Sequence, residues 1–117
     1  MKLPFRRKRQ LNVTKFTERW QGLQQQCANR KTWPQAIIDA DDLLAEALKR
    51  SRYKGKTTGE KLVAAQHALS DNESVWFGHK LRKRIPDADV RKLKKSDVLT
   101  ALAGFRQALR DLGALEL

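Results

Sequence analysis

The densest chemistry in this 117-residue chain lies in one short stretch, where His79 stands three positions before Arg82, with Lys83 and Arg84 following. On a helix, positions 79 and 82 share a face and 83 lies beside them. Arginine offers a planar fork that matches phosphate oxygens, and histidine can move a proton near neutral pH. Such a group could hold a phosphodiester and help to break it. A complete acid–base couple needs a second titrating side chain. His67, the other histidine, falls mid-helix at an expected partly buried position, and no carboxylate pair stands close in sequence. The plainer role of His79, and the favoured one, is a half-buried helical residue with one ring nitrogen hydrogen-bonded.

Five helical segments must position these residues. Val13, Phe16, Trp20, Leu23 and Cys27 recur at steps of three and four, which predicts a helix over 13–30 with Asn12 or Thr14 as its cap. Gly22 inside it costs ~1 kcal/mol against alanine, so packing is expected to compensate. A second helix is predicted over 33–49, with Thr32 before it and Pro34 in its first turn. Its apolar face reads Ala36, Ile37, Ala40, Leu43, Leu44, Ala47 and Leu48, while Asp39, Asp41, Asp42 and Glu46 make it the one acidic segment. Thr57 and Glu60 have capping-box spacing before a third helix over 60–69, with Leu62, Val63, Ala65 and Leu69 expected inward. A fourth covers 73–85, after the break at 70–72, and Pro86 ends it. The fifth covers 97–112, with Ser96 as cap, Val98, Leu99, Leu102, Phe105, Leu109 and Leu112 inward, and Gly113 at its end. There is no strand alternation and no internal repeat. The expected fold is all-α, a single bundle of four to five helices over residues 13–117, preceded by a basic flexible arm at 1–12.

The charge is lopsided. Twenty-five Lys and Arg against 13 Asp and Glu give a formal net charge of +12, a field that draws nucleic acid, acidic proteins and anionic lipid without choosing among them. The bases gather in three places. The arm holds Arg6, Arg7, Lys8 and Arg9, with Lys15 beyond it; the loop after the second helix holds Arg52, Lys54 and Lys56; the junction after the fourth holds Lys80, Arg82, Lys83, Arg84, Arg91, Lys92, Lys94 and Lys95. A solvated surface would mix signs along helices; clustering in loops suggests one contact surface, provided the segments meet in space. Trp20, Trp33 and Trp76 are expected in the core. Tyr53, set among Lys, Arg and Gly with no apolar neighbours in sequence, is the best candidate to stack on a base.

The single cysteine, Cys27, excludes an intramolecular disulfide and a cysteine-based zinc site. No apolar run approaches the ~20 residues that span a bilayer, and no apolar segment follows the basic start as in a signal peptide. A cytoplasmic location is expected, and no cofactor or metal.

Residues 76–87, reading Trp-Phe-Gly-His-Lys-Leu-Arg-Lys-Arg-Ile-Pro-Asp, resemble the signature of HEPN domains. These are small helical bundles, often homodimers, and many are metal-independent ribonucleases. Their motif is an arginine, often followed by a polar residue, and a histidine some positions later. Arg82 matches the arginine; Asp87 stands where the histidine is expected, and Lys83 where asparagine is common. A wider pattern, through residues 33–38, 40–48, 55–62 and 109–115, is similar to a group of small uncharacterised bacterial proteins. The resemblance implies a ribonuclease built from Arg82, His79 and Asp87 at a dimer interface. Without the histidine, Asp87 would need a raised pKa to act as base, and a carboxylate also repels phosphate. The leading expectation is therefore a non-catalytic nucleic-acid binder, RNA before DNA, gripping phosphates with the three basic segments. The alternatives are the HEPN-like enzyme and an adaptor for an acidic protein or an anionic membrane surface, worth ~1 kcal/mol per charge at such a bilayer.

Overall fold

The computed structural model describes residues 11–85 and 93–116. Five helices occupy them: α1 Val13–Gln26, α2 Trp33–Arg50, α3 Thr58–Ala64, α4 Asn72–Arg84 and α5 Lys95–Asp111. No strand occurs among the described residues, and the fold is a small helical bundle.

The 18-residue α2, about 27 Å long at 1.5 Å per residue, is the central element. It packs against α1, α3, α4 and α5 because its apolar face is broad. Ala36, Ile37, Ala40, Leu43, Leu44, Ala47 and Leu48 are all buried. The most extensive interface joins α4 to α5, and glycine permits it: a Cβ on Gly104 would lie 2.5 Å from the Ser74 backbone, and one on Gly78 2.8 Å from the Phe105 ring. Leu11, placed by the sequence reading in the arm, belongs to the core, and Asn12 caps α1 by accepting from the Lys15 N–H at 3.1 Å.

Helix ends differ from the sequence expectations where side chains compete for the backbone. The first helix stops at Gln26, not 30. The N–H groups of Cys27, Ala28 and Asn29 turn back three residues, and the Thr32 hydroxyl donates to the Gln26 and Asn29 carbonyls. α3 ends at Ala64, short of 69; Leu62, Ala65 and Leu69 are buried as expected, but Val63 is 54% exposed, and His67 lies exposed in the turn that follows. α5 starts at Lys95 without a side-chain cap, so Ser96 is not its cap. Its buried stripe runs through Val98, Ala101, Phe105, Ala108 and Leu112, which turns Leu99 to solvent at 54% exposure. Gly22 meets nothing within 4 Å of a built Cβ, so no packing offsets its cost. The expected capping at Thr57 is present: its hydroxyl accepts from the Glu60 N–H at 3.1 Å, and Glu60 reaches back to the N–H of Lys56.

α2 and α5 end in the same way. Tyr53 N–H donates to Leu48 C=O and Arg52 N–H to Lys49 C=O; Ala114 N–H donates to Leu109 C=O and Gly113 N–H to Arg110 C=O. Both are Schellman motifs, which need one residue in the left-handed region. After α5 that residue is Gly113, at φ +83°; after α2 it is Arg52, at φ +66°.

Candidate functional site

Two sites emerge, one buried and one on the surface. The buried one centres on Asp41, which sits on the apolar face of α2 with no solvent exposure. Its Oδ1 lies 2.9 Å from His79 Nδ1, and its Oδ2 accepts from Arg82 Nη1 at 2.7 Å. Arg82 also reaches Asp42 Oδ1 at 3.3 Å. One turn of α4 thus delivers both partners to one carboxylate, as the spacing of 79 and 82 requires. His79 is buried, with its ring 5.9 Å from Trp76 edge to face. Its Nε2 has no hydrogen-bond partner among the described residues and points toward Gly59, the second residue of α3. A buried charge is stable only when paired and hydrogen-bonded, and Asp41 meets that condition through α4. Arg82, expected on phosphate, is committed to the two aspartates instead.

Sequence reasoning passed over Asp41. The signal was present: it falls between Ile37 and Leu44 at helical spacing, an acid inside an apolar stripe. The partners, 38 and 41 positions away, carried no such mark.

The surface site lies at the C-terminal end of α2, beyond Asp41 at its middle. Two adjoining clefts open there. Lys15, Arg19, Glu46 and Arg50, with Leu11, Asn12 and Phe16, line the one between α1 and α2. Lys49, Arg50, Arg52 and Lys61, with Ala45 and Glu46, line the one between α2 and α3. Glu46 accepts from Arg19 Nη1 at 2.7 Å and from Arg50 Nε at 3.1 Å. The hydrogen bond from Arg19, reinforced by Arg50, holds its carboxyl below the ordinary range. On the far side of Arg19 the groove is lined by Asp39 and Asp42.

Bases from two of the three basic segments line these clefts. Lys15 is the described member of the first, and Leu11, where the arm joins, lines the same cleft. Arg52 belongs to the second, whose flanking bases Lys49, Arg50 and Lys61 complete the six over 49–61; Lys54 and Lys56 are exposed in the adjoining loop. Arg6, Arg7, Lys8 and Arg9 lie outside the described residues, as do Asp87, Arg91 and Lys92. The described bases of the third segment line neither cleft. Arg30, just before α2, donates to the Leu93 carbonyl at 3.2 Å, which brings the residue before Lys94 to the end where α2 begins. Lys80, Lys83, Arg84, Lys94 and Lys95 are exposed. Tyr53 does have apolar neighbours, contrary to expectation: it is half-buried against the core, at the Schellman position that commonly carries a hydrophobic residue.

The three tryptophans pack in or against the core. Cys27 is half-buried, and burial pushes its thiol up, away from the reactive thiolate. Among the described residues no group of His, Cys, Asp and Glu could hold a metal ion, and no helix is long and apolar enough to cross a membrane. No protein-family model, curated protein or solved structure matches the chain.

Proposed function

We propose that this chain is a nucleic-acid-binding domain that holds single-stranded RNA by its phosphates, at the clefts flanking the C-terminal end of α2. One observation carries the reading: Lys15, Arg19, Lys49, Arg50, Arg52 and Lys61 come from three helices and a loop to line two adjoining clefts around a single carboxylate. Arg52 supports it independently. A non-glycine residue in the left-handed region is disfavoured, and α5 uses glycine for the same motif. Strain retained at a surface position points to a function for the side chain, and this one lines a cleft.

A labelled oligouridylate titrated with the protein, with anisotropy read at several salt concentrations, tests the proposal. Affinity should fall linearly in log–log salt, with a slope of about −0.7 per phosphate contact, and Lys61→Ala should flatten that slope by about one contact. No binding at low salt, together with sedimentation on anionic vesicles, would replace this reading with the membrane-surface adaptor.

The HEPN-like ribonuclease is the second reading, favoured by the unpartnered Nε2 of His79 and by the Asp41 contact that orients the ring. Against it, that nitrogen is buried beneath Gly59 and Arg82 is held by carboxylates. The same titration endpoints, run on a gel, decide. Intact RNA supports the binder. Cleavage abolished by His79→Gln in a protein that still melts cooperatively supports the enzyme.

A further inference from the structure

Among the described residues, Glu46 is the only carboxylate lining either basic cleft. Each of its oxygens receives one guanidinium, Arg19 from α1 and Arg50 from one turn further along α2. A phosphate group standing between the same two arginines would use two oxygens in the same way, with comparable charge-assisted bonds. The bridge is accessible: the side chains of Arg19, Arg50 and Glu46 are 50%, 63% and 35% exposed. Ion pairs of that exposure are weak and screened by salt, so this one can open without disturbing the core beneath it.

We infer that Glu46 is a resident anion occupying a phosphate position of the cleft, and that a bound phosphodiester strand displaces it from Arg19 and Arg50. The inference rests on the RNA-binding reading above and adds a threshold to it. The carboxylate is tethered beside the two arginines, so its effective concentration there is high. A free phosphate ion must compete with it alone. A strand has neighbouring phosphates to anchor on Lys49, Arg52 and Lys61, which keeps the next phosphate in place while Glu46 swings out. The cleft therefore discriminates a polymer from its monomeric anion, and Glu46 is the residue that sets the discrimination.

The test compares wild type with Glu46→Gln, using the oligouridylate and inorganic phosphate as separate probes across a salt series. Glutamine keeps the length, removes the charge and leaves one accepting oxygen where the carboxylate has two. Glu46→Ala serves as a second variant, and thermal melts confirm that both fold. Glu46→Gln should bind the oligouridylate several-fold more tightly at low salt, with a log–log slope steeper by about one or two phosphate contacts. Inorganic phosphate, a poor competitor for wild type, should become an effective one. Unchanged affinity and slope in both variants would overturn the inference, because the carboxylate would then not stand in the way. Weaker binding would also overturn it, by making Glu46 a brace that positions the arginines. If wild type binds and Lys61→Ala weakens it while Glu46→Gln gains nothing, the cleft stands and only the displacement falls. If wild type does not bind RNA, the functional reading falls and takes this inference with it.

Discussion

Asp41 is removed from water, and two donors on one turn of α4 are what make its position tolerable. Taking a carboxylate into a protein interior costs several kcal/mol unless its oxygens are bonded, and breaking a buried pair is expensive for the partner left behind. Asp41→Asn should therefore cost about 3 kcal/mol in urea unfolding: the amide can accept from one partner but turns its own N–H groups toward the other. Asp42→Asn is the control, because that aspartate meets the same arginine at 3.3 Å from a side chain 54% exposed. It should change stability by less than about 0.5 kcal/mol. Equal losses from both would mean that burial does not set the strength of the cluster. The acid was legible in the sequence as an interruption of the α2 stripe. Its bonding to His79 was not, since helical spacing identifies which residues share a face but not what that face meets.

Glycine has opposite consequences in two helices. In α1, a Cβ on Gly22 would meet nothing within 4 Å, so Gly22→Ala should stabilise the protein by about 0.5–1 kcal/mol through helix propensity and reduced freedom of the unfolded chain. In α5, the same propensity gain of ~1 kcal/mol competes with a Cβ placed 2.5 Å from the Ser74 backbone and 2.7 Å from the Val75 nitrogen. Backbone cannot rotate away as a side chain can. Overpacking of ~3 kcal/mol outweighs the gain, and Gly104→Ala should lose about 2 kcal/mol in the same urea assay. A stabilising Gly104→Ala would show that α4 and α5 can part without penalty. The sequence pattern placed all five helices but overran the ends of α1 and α3. Asn29 and Thr32 bind the backbone where α1 ends, and short polar side chains of this kind compete with helical hydrogen bonds.

Among the described residues, basic clefts lie where α2 ends, and Leu93, followed by the exposed Lys94 and Lys95, meets Arg30 just before α2 begins. Arg52 links the stability of the molecule to its surface. Arg52→Gly relieves a left-handed residue while removing a base from the cleft. Unfolding in urea should show a gain of about 1 kcal/mol, and the oligouridylate titration should show weaker binding with a slope flatter by about 0.7. Stability and binding falling together would assign Arg52 a structural role instead.

By itself the sequence determined the all-helical class, the central apolar face of α2, the capping at Thr57 and the stop at Gly113. Each follows from interactions between residues close in the chain, whose spacing repeats the helix period. It also established that positive charge gathers in three segments. Tertiary structure alone decided that Lys15 and the bases around the end of α2 line adjoining clefts, that Arg19 meets Glu46 across 27 residues, and that Arg82 pairs with aspartates of α2. Those contacts depend on how helix ridges settle into neighbouring grooves, and a one-dimensional pattern carries no record of the angle and offset at which they do so.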